Sequence, residues 1–323
     1  MRLRTTLLAI IAFGIGGAAP AQAQRFPFER SFDVTGPSAL DVSTIRGRID
    51  VTVGEPGRVV VAGTATVRVD WNVPANAAEL ARKVADNPPI QREGNTLKLR
   101  PPPDAEALRA VTVSYQVRVP PETEVTTVSE SGATSVRGVS RAVVIRTQSG
   151  AIEVTQLKGD AGVTTGSGSV TADDVAGSLT ATTSSSSITA RSIGGDLRVR
   201  TKSGAVDAVL SGEGDADVET GSSAIRLSGI RGAVIAATES GHVTLQGVPR
   251  RDWMASAGSG SIEIATAIVP FTLDASGGGS VKVTGATVQG AVSKRTVVGS
   301  IAGSSGPLMK VTSRSGSIVV RLK

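Results

Sequence analysis

No cysteine occurs in the chain's 323 residues, and His242 is the only histidine. Disulfide staples are therefore excluded, and most transition-metal ligand sets go with them. A chain this long can bury a core without staples. Aromatic residues make up only 2% of the sequence. The core must then come from Val, Ile, Leu and Ala, and there is little on which nucleobases could stack. No run of Lys or Arg could track a phosphate backbone. Charges of both signs are scattered along the chain, and the formal net charge is only +6. Nucleic acid is not an expected partner. Beyond the first residues, no apolar run is long enough to cross a bilayer as a helix.

The N-terminus does carry a targeting pattern. Arg2 and Arg4 form a basic start, Leu7 to Ile15 an apolar stretch, and Ala21-Gln22-Ala23 a small-x-small cleavage site. The expectation is a signal peptide over residues 1–23, with no nearby cysteine to take a lipid anchor. The mature chain would be exported to the periplasm, cell surface or medium, with no transmembrane segment.

Residues 24–125 read as a less regular β-rich capping region. Ile49, Val51 and Val53 alternate with polar residues, as do Leu97 and Leu99, and then Val111 through Val119. Alternation of period 2 predicts strands with one buried face. One short helix is expected near 77–85, with Asn76 as N-cap, Glu79 completing a capping box, and Asn87-Pro88-Pro89 as its stop. Pro101-Pro102-Pro103 predicts a surface loop.

A repeat takes over in residues 126–323. Ser-Gly recurs at Ser131-Gly132, Ser149-Gly150, Ser167-Gly168, Ser203-Gly204, Ser240-Gly241, Ser259-Gly260 and Ser315-Gly316. Weaker copies at Ser185-Ser186, Ser222-Ser223, Gly278-Gly279 and Val298-Gly299 fill the gaps. Ten steps then span the 184 residues from Ser131 to Ser315, a mean period of 18.4. Such a period predicts a solenoid. Within it lies a nonapeptide with Gly at its head, as in Gly150-Ala-Ile152-Glu-Val154 and Gly168-Ser-Val170-Thr-Ala172. Each half-repeat would supply a short strand with two inward apolar residues. A turn follows in which Gly adopts positive φ and Ser ties the backbone. The expected fold is all-β, a parallel β-solenoid of about 18 residues per coil. Right-handed winding, as a right-handed β-helix, is expected from the handedness of parallel crossovers. A left-handed helix with three hexapeptide sides per coil shares the 18-residue coil, but not the nonapeptide. At the C-terminus, Arg321 and Lys323 read as charged guards of an exposed edge strand.

The passage Val119-Pro120-Pro-Glu-Thr-Glu-Val125 leads into serial Thr-x-Ser-Gly-x-[Ile/Val]-x-[Val/Ala] units. In both, the chain resembles the bacterial putative-adhesin domain family, a domain of unknown function related to the heads of auto-transporter adhesins. The resemblance covers roughly residues 30–320. It implies a β-solenoid at the cell envelope and carries no catalytic residue to transfer.

Several features could hold chemistry. Asp173-Asp174 and Ser240-Gly241-His242 together suggest a polysaccharide-active β-helix enzyme. They lie about four coils, or roughly 19 Å, apart, whereas cooperating carboxylates in glycosidases sit within about 10 Å. The stretch Gly212-Glu213-Gly214-Asp215-Ala216-Asp217 suggests calcium, yet Asp does not recur at a fixed place as a calcium repeat requires. Thr147, Thr165, Thr183, Thr201, Thr220 and Thr238, each two residues before a Ser, would stack as hydroxyl ladders. These could serve structure or recognise ice or another ordered surface. Trp71 and Trp253 read as half-buried packing residues or lone sugar-stacking platforms, and His242 as exposed and incidental. No catalytic, cofactor-binding or metal-binding residue emerges, and no cofactor is expected. The functional expectation is a non-enzymatic adhesin or envelope surface-binding protein, with envelope polymers or proteins as candidate partners. A periplasmic envelope-stress or scaffolding module is the alternative, and a degenerate polysaccharide-active enzyme stands behind both.

Overall fold

The computed structural model describes residues 23–69, 74–303 and 306–323. The signal-peptide pattern therefore falls almost wholly outside the described residues, and so does Trp71.

Each nonapeptide forms one strand, and successive strands alternate between two sheets. Val143–Thr147, Ala161–Thr165 and Leu179–Thr183 stack in parallel on one face. Ile152–Leu157, Val170–Val175 and Ile188–Ile193 do so on the other. A coil thus has two sides, as the nonapeptide predicts, rather than three. Cα partners are offset by 18 residues, as in Val143↔Ala161, and occasionally by 19, as in Leu197↔Ala216. Twelve strands in each sheet stack in parallel, about 50 Å of rod at ordinary strand spacing.

The interior is a set of aligned apolar columns. Ile152, Val170, Ile188, Val206, Ile225, Val243, Ile262 and Ile318 form one, each buried. β-Branched side chains suit this position because they pack on a pleated surface with little χ1 freedom to lose.

The order of coils in space differs from their order in the chain. Trp253–Ala257 and Ile262–Thr266 pair not with the next segment but with Leu308–Ser313 and Ile318–Leu322. The intervening strands Phe271–Gly277 and Val281–Thr284 lie on the far side of that last coil. The final coil is therefore slotted between two earlier ones. The same occurs at the other end. Ser38–Thr44 and Ile49–Val53 sit between the strands Thr96–Leu99 and Val111–Val119 and the strands Thr123–Ser129 and Thr134–Arg137. The parallel stack thus begins well before the regular repeats.

This threading corrects two expectations. Ile318–Leu322 is an interior strand, and Arg321 pairs with Glu263 on the neighbouring coil, so Arg321 and Lys323 guard no edge. Gly278-Gly279 is a turn of the stack, but Val298-Gly299 lies in an antiparallel strand, Thr296–Ile301. The ends close by a switch to antiparallel pairing. Thr296–Ile301 and Gln289–Val292 finish one end, and Arg58–Val67 and Arg25–Asp33 the other. Reversed strands leave no parallel template at those edges, while Val281–Thr284 remains the parallel edge of its sheet.

The expected helix forms over Ala77–Asp86 and packs Leu80, Ala81 and Val84 inward. Asn76 makes no side-chain capping bond, so the capping box is absent. Residues after the triple proline form a second short helix, Ala105–Ala110, where a loop is expected. Asp104 caps it by accepting the Glu106 N–H at 2.8 Å, and that Asp-x-Glu start is the signal passed over.

Candidate functional site

The Ser-Gly series resolves into punctuation, by a mechanism other than the expected one. None of its glycines has positive φ. The left-handed positions lie at the opposite corner, at Gly138, Gln156, Asp174, Ser192 and Gly229. The Ser-Gly glycines are required by close approach. A Cβ on Gly150 would meet the Gly132 carbonyl oxygen at 2.0 Å, one on Gly168 the Gly150 oxygen at 1.8 Å, and one on Gly316 the Gly260 oxygen at 2.1 Å. Stacked turns touch backbone to backbone, and no side chain fits between them.

The turn is tied by the hydroxyl three residues before each glycine, Thr at most coils and Ser129 and Ser313 at Gly132 and Gly316, not by the Ser of the Ser-Gly pair. The N–H groups of Gly150, Gly168, Gly204 and Gly241 donate to Oγ1 of Thr147, Thr165, Thr201 and Thr238, each at 3.0 Å. Those threonines are buried, which overturns the hydroxyl row as a surface for ice or any ordered partner. The serines between are exposed. Where Ser186 replaces Gly, Thr183 Oγ1 is buried without a partner. Where Ser223 does, Thr220 Oγ1 keeps the bond to the carbonyl one coil below that Thr165 and Thr238 also make, here Gly204, but takes no N–H from the turn. A Cβ in the column thus displaces the turn enough to lose its tie.

Most of the other candidates are likewise engaged in structure, while the Asp173 and Asp174 side chains are exposed. Asp174 occupies a left-handed corner at φ 56°, stacked with Gln156 and Ser192, and Asp173 pairs in register with Thr155 and Arg191. His242 lies four coils away along the same sheet, where its Nδ1 accepts the Ser261 N–H at 3.3 Å. Glu213 pairs with Arg250, Asp215 with Arg251, and Asp217 with Arg198 and Arg200. Asp215 also belongs to a second ladder that sequence reading missed. Asp160, Ser178, Asp196, Asp215 and Asp252 each accept a backbone N–H one coil on, at 2.8–3.2 Å. Trp253 is fully buried rather than half-buried, and its Nε1 donates to the Gly232 carbonyl at 3.1 Å.

An open concavity lies elsewhere, on the outer face at the N-terminal end. There Arg25–Asp33, Arg58–Val67, Val111–Val119 and Ile49–Val53 run side by side. Register sets Glu29, Ala62, Gln116 and Asp50 in one row across the four strands. Pro27, Thr64 and Ser114 form the next row, with Arg48 beside them. Ala62, Thr64 and Ser114 on the two central strands make a floor, with the longer Glu29, Arg48, Asp50 and Gln116 side chains around it. The result is a trough of about 550 Å³. Arg48 Nε bonds both Asp50 carboxylate oxygens at 3.0 and 2.8 Å, and this pair holds the guanidinium above its ordinary pKa. The Arg48 backbone N–H donates to Ser114 Oγ at 3.2 Å, which leaves the Ser114 proton free. Among the described residues, Glu29 makes no ion pair, and the two Nη groups of Arg48 have no protein partner.

No protein-family model matches the chain, and no curated protein does. Solved structures to which the chain shows a distant similarity include a putative cell adhesion protein from Clostridium sporogenes, 12% identical, with a TM-score of 0.24 over 92% of this chain and 100% of that one. Another is a putative adhesin from Bacteroides fragilis, 14% identical, with a TM-score of 0.27 over 92% and 97%. A third is a putative adhesin from Parabacteroides distasonis, 11% identical, with a TM-score of 0.31 over 91% and 96%. Likenesses this distant assign no function.

Proposed function

We propose that this protein is an exported, non-enzymatic β-solenoid that binds at the cell envelope or surface, as an adhesin does. The supporting observation is the division of labour among its polar residues. Those that could suggest catalysis or calcium binding are spread over separate coils, and His242 and the acidic groups of the calcium-like stretch are tied into turns, ladders and ion pairs. A further set of polar groups, Glu29, Arg48, Ser114 and Gln116, converges in an open trough on the outside of the capped end. That arrangement suits holding a partner rather than transforming one, because no side chain there is placed as nucleophile and base in mutual contact. Among the described residues, no helix is long and apolar enough to cross a membrane. Fractionation with surface protease shaving of whole cells tests the reading. Cleavage of the protein on intact cells is the expected result. Recovery of the protein only from soluble periplasm would overturn the adhesin role in favour of a periplasmic scaffolding one.

A further inference from the structure

The geometry points to the outer trough as a binding site for an uncharged saccharide unit of an envelope or surface glycan, an assignment that rests on the binding role proposed above. Three features carry it. The first is size. Two rows of side chains across four strands give a footprint of about 14 by 7 Å at ordinary strand spacing and rise. Together with a volume of about 550 Å³, this suits one or two sugar rings lying flat on the floor made by Ala62, Thr64 and Ser114.

The second feature is the mixture of donors and acceptors. A sugar hydroxyl both gives and takes hydrogen bonds, so its site needs both kinds within reach. The Arg48 Nη groups and the Ser114 and Thr64 hydroxyls donate. The Glu29 carboxylate on the opposite wall accepts, and the Gln116 amide does both. Much of this set is pre-positioned. Asp50 fixes the Arg48 fork through two bonds to Nε, and the Arg48 main chain fixes the Ser114 oxygen. A planar polar group held before the ligand arrives loses little freedom on binding.

The third feature is charge. Asp50 largely neutralises Arg48, and Glu29 stands opposite without an ion-pair partner. An anionic ligand would face Glu29 and Asp50 across a partly buried surface, a like-charge contact that binding does not tolerate well. Uronic acids, phosphates and acidic peptides are thereby disfavoured. The free fork of Arg48 still presents paired N–H groups to adjacent hydroxyl oxygens.

The test is titration of the purified mature protein with neutral gluco-, galacto- and manno-tetrasaccharides, and with tetragalacturonate and a chitosan tetramer. Binding would be followed by ligand-observed NMR, in parallel with pull-down on isolated cell envelopes. Ala62→Trp fills the outer floor and Glu29→Ala removes one wall acceptor, while neither alters the buried core. At least one neutral tetrasaccharide is expected to bind, at least tenfold more weakly to either variant, with melting temperatures unchanged. Tetragalacturonate is expected to bind at least tenfold more weakly than the neutral ligand. Neutral binding untouched by Ala62→Trp would overturn the site, and preference for tetragalacturonate or chitosan would overturn the ligand class. If no neutral tetrasaccharide binds at 10 mM (about the weakest useful affinity, ~3 kcal/mol), the inference fails. The envelope-binding role still stands in that case if wild-type protein is retained on envelopes. Saccharide binding without envelope retention would sink the role and keep the site.

Discussion

Replacing Gly168 with Ala places one methyl group where the stack has no room. Its Cβ would lie 1.8 Å from the Gly150 oxygen and 2.4 Å from the Gly150 carbon, against a floor of 3.0 Å for real contacts. The turn must then rise by about 1.2 Å relative to the coil beneath it. The same Cβ would also lie 2.9 Å from Thr165 Oγ1, so the hydroxyl must turn away and the 3.0 Å bond from the Gly168 N–H to it is lost. The missing bond leaves the buried Gly168 N–H without its acceptor, at a cost of ~1–3 kcal/mol. Residual overpacking adds ~1–3 kcal/mol. A net loss of about 3 kcal/mol is expected, partly relieved by movement of the turn. The chain already contains a guide to this outcome, because Ser186 carries a side chain in the same column and Thr183 Oγ1 has no partner there. Gly162→Ala is the control. It is the same chemical change, one coil-side away, where the nearest atom to the new Cβ is 4.0 Å off. That variant should match wild type or gain a few tenths of a kcal/mol through reduced unfolded-state entropy. Equilibrium urea unfolding, followed by circular dichroism and tryptophan fluorescence together, measures the difference. If Gly168→Ala and Gly162→Ala fall within about 0.5 kcal/mol of each other, close approach is not why the column is glycine.

Three further outcomes are expected. Trp253→Ala should cost ~3–5 kcal/mol in urea unfolding, since it empties a fully buried site and strands the Gly232 carbonyl; a loss under 1 kcal/mol would contradict the packing described. Asp196→Ala should leave the Asp215 N–H without its 2.9 Å acceptor and raise hydrogen exchange at that amide relative to Asp196→Asn, whereas equal exchange would remove the ladder as a cross-coil tie. Asp41 is held below its usual carboxylate pKa by its bonds to Arg100, at 2.5 and 2.8 Å. A depressed folded-state pKa gives stability that is present above the unfolded value of 3.8 and lost as pH falls through the folded one. Wild type should therefore lose slightly more stability than Asp41→Asn between roughly pH 5 and 2. The gap stays small because both side chains are about a third exposed, and parallel acid limbs would refute it.

The two-sided coil was legible because its cause is local. Two inward apolar residues, a polar pair and a glycine recur every nine residues, and each half-repeat specifies its own strand and turn. The order of stacking was not legible, because the coils are nearly interchangeable. Ile262 and Ile318 present the same face, so nothing in the period tells the chain that Ile318 follows Ile262 in space while Val281 comes after both. Regularity itself misled, since counting Val298-Gly299 as a turn preserved a smooth period across residues that leave the stack and return. Thr44-Ile-Arg-Gly47 carried the opposite clue. It has the Thr-x-x-Gly spacing of the tied turns, and a Cβ on Gly132 would meet the Gly47 oxygen at 1.9 Å. The left-handed corner escaped notice because Gln156 and Ser192 are not residues that announce positive φ. The trough was hidden for a topological reason. Glu29, Arg48 and Ser114 meet only because an antiparallel strand and an intercalated coil bring three distant segments side by side.

The central structural claim is that the turns form one unbroken column, with the 56-residue gap between Ser259 and Ser315 closed in space. A chain without cysteine allows a clean test by paired substitution, Ser259→Cys with Ser315→Cys. Neighbouring parallel strands set these Cα atoms about 5 Å apart, within disulfide reach. Rapid oxidation of that pair is expected in the native protein, with Gly278→Cys in place of Ser315→Cys giving no bridge, because the last coil stands between. A bridge from position 259 to 278, with none to 315, would contradict the claim.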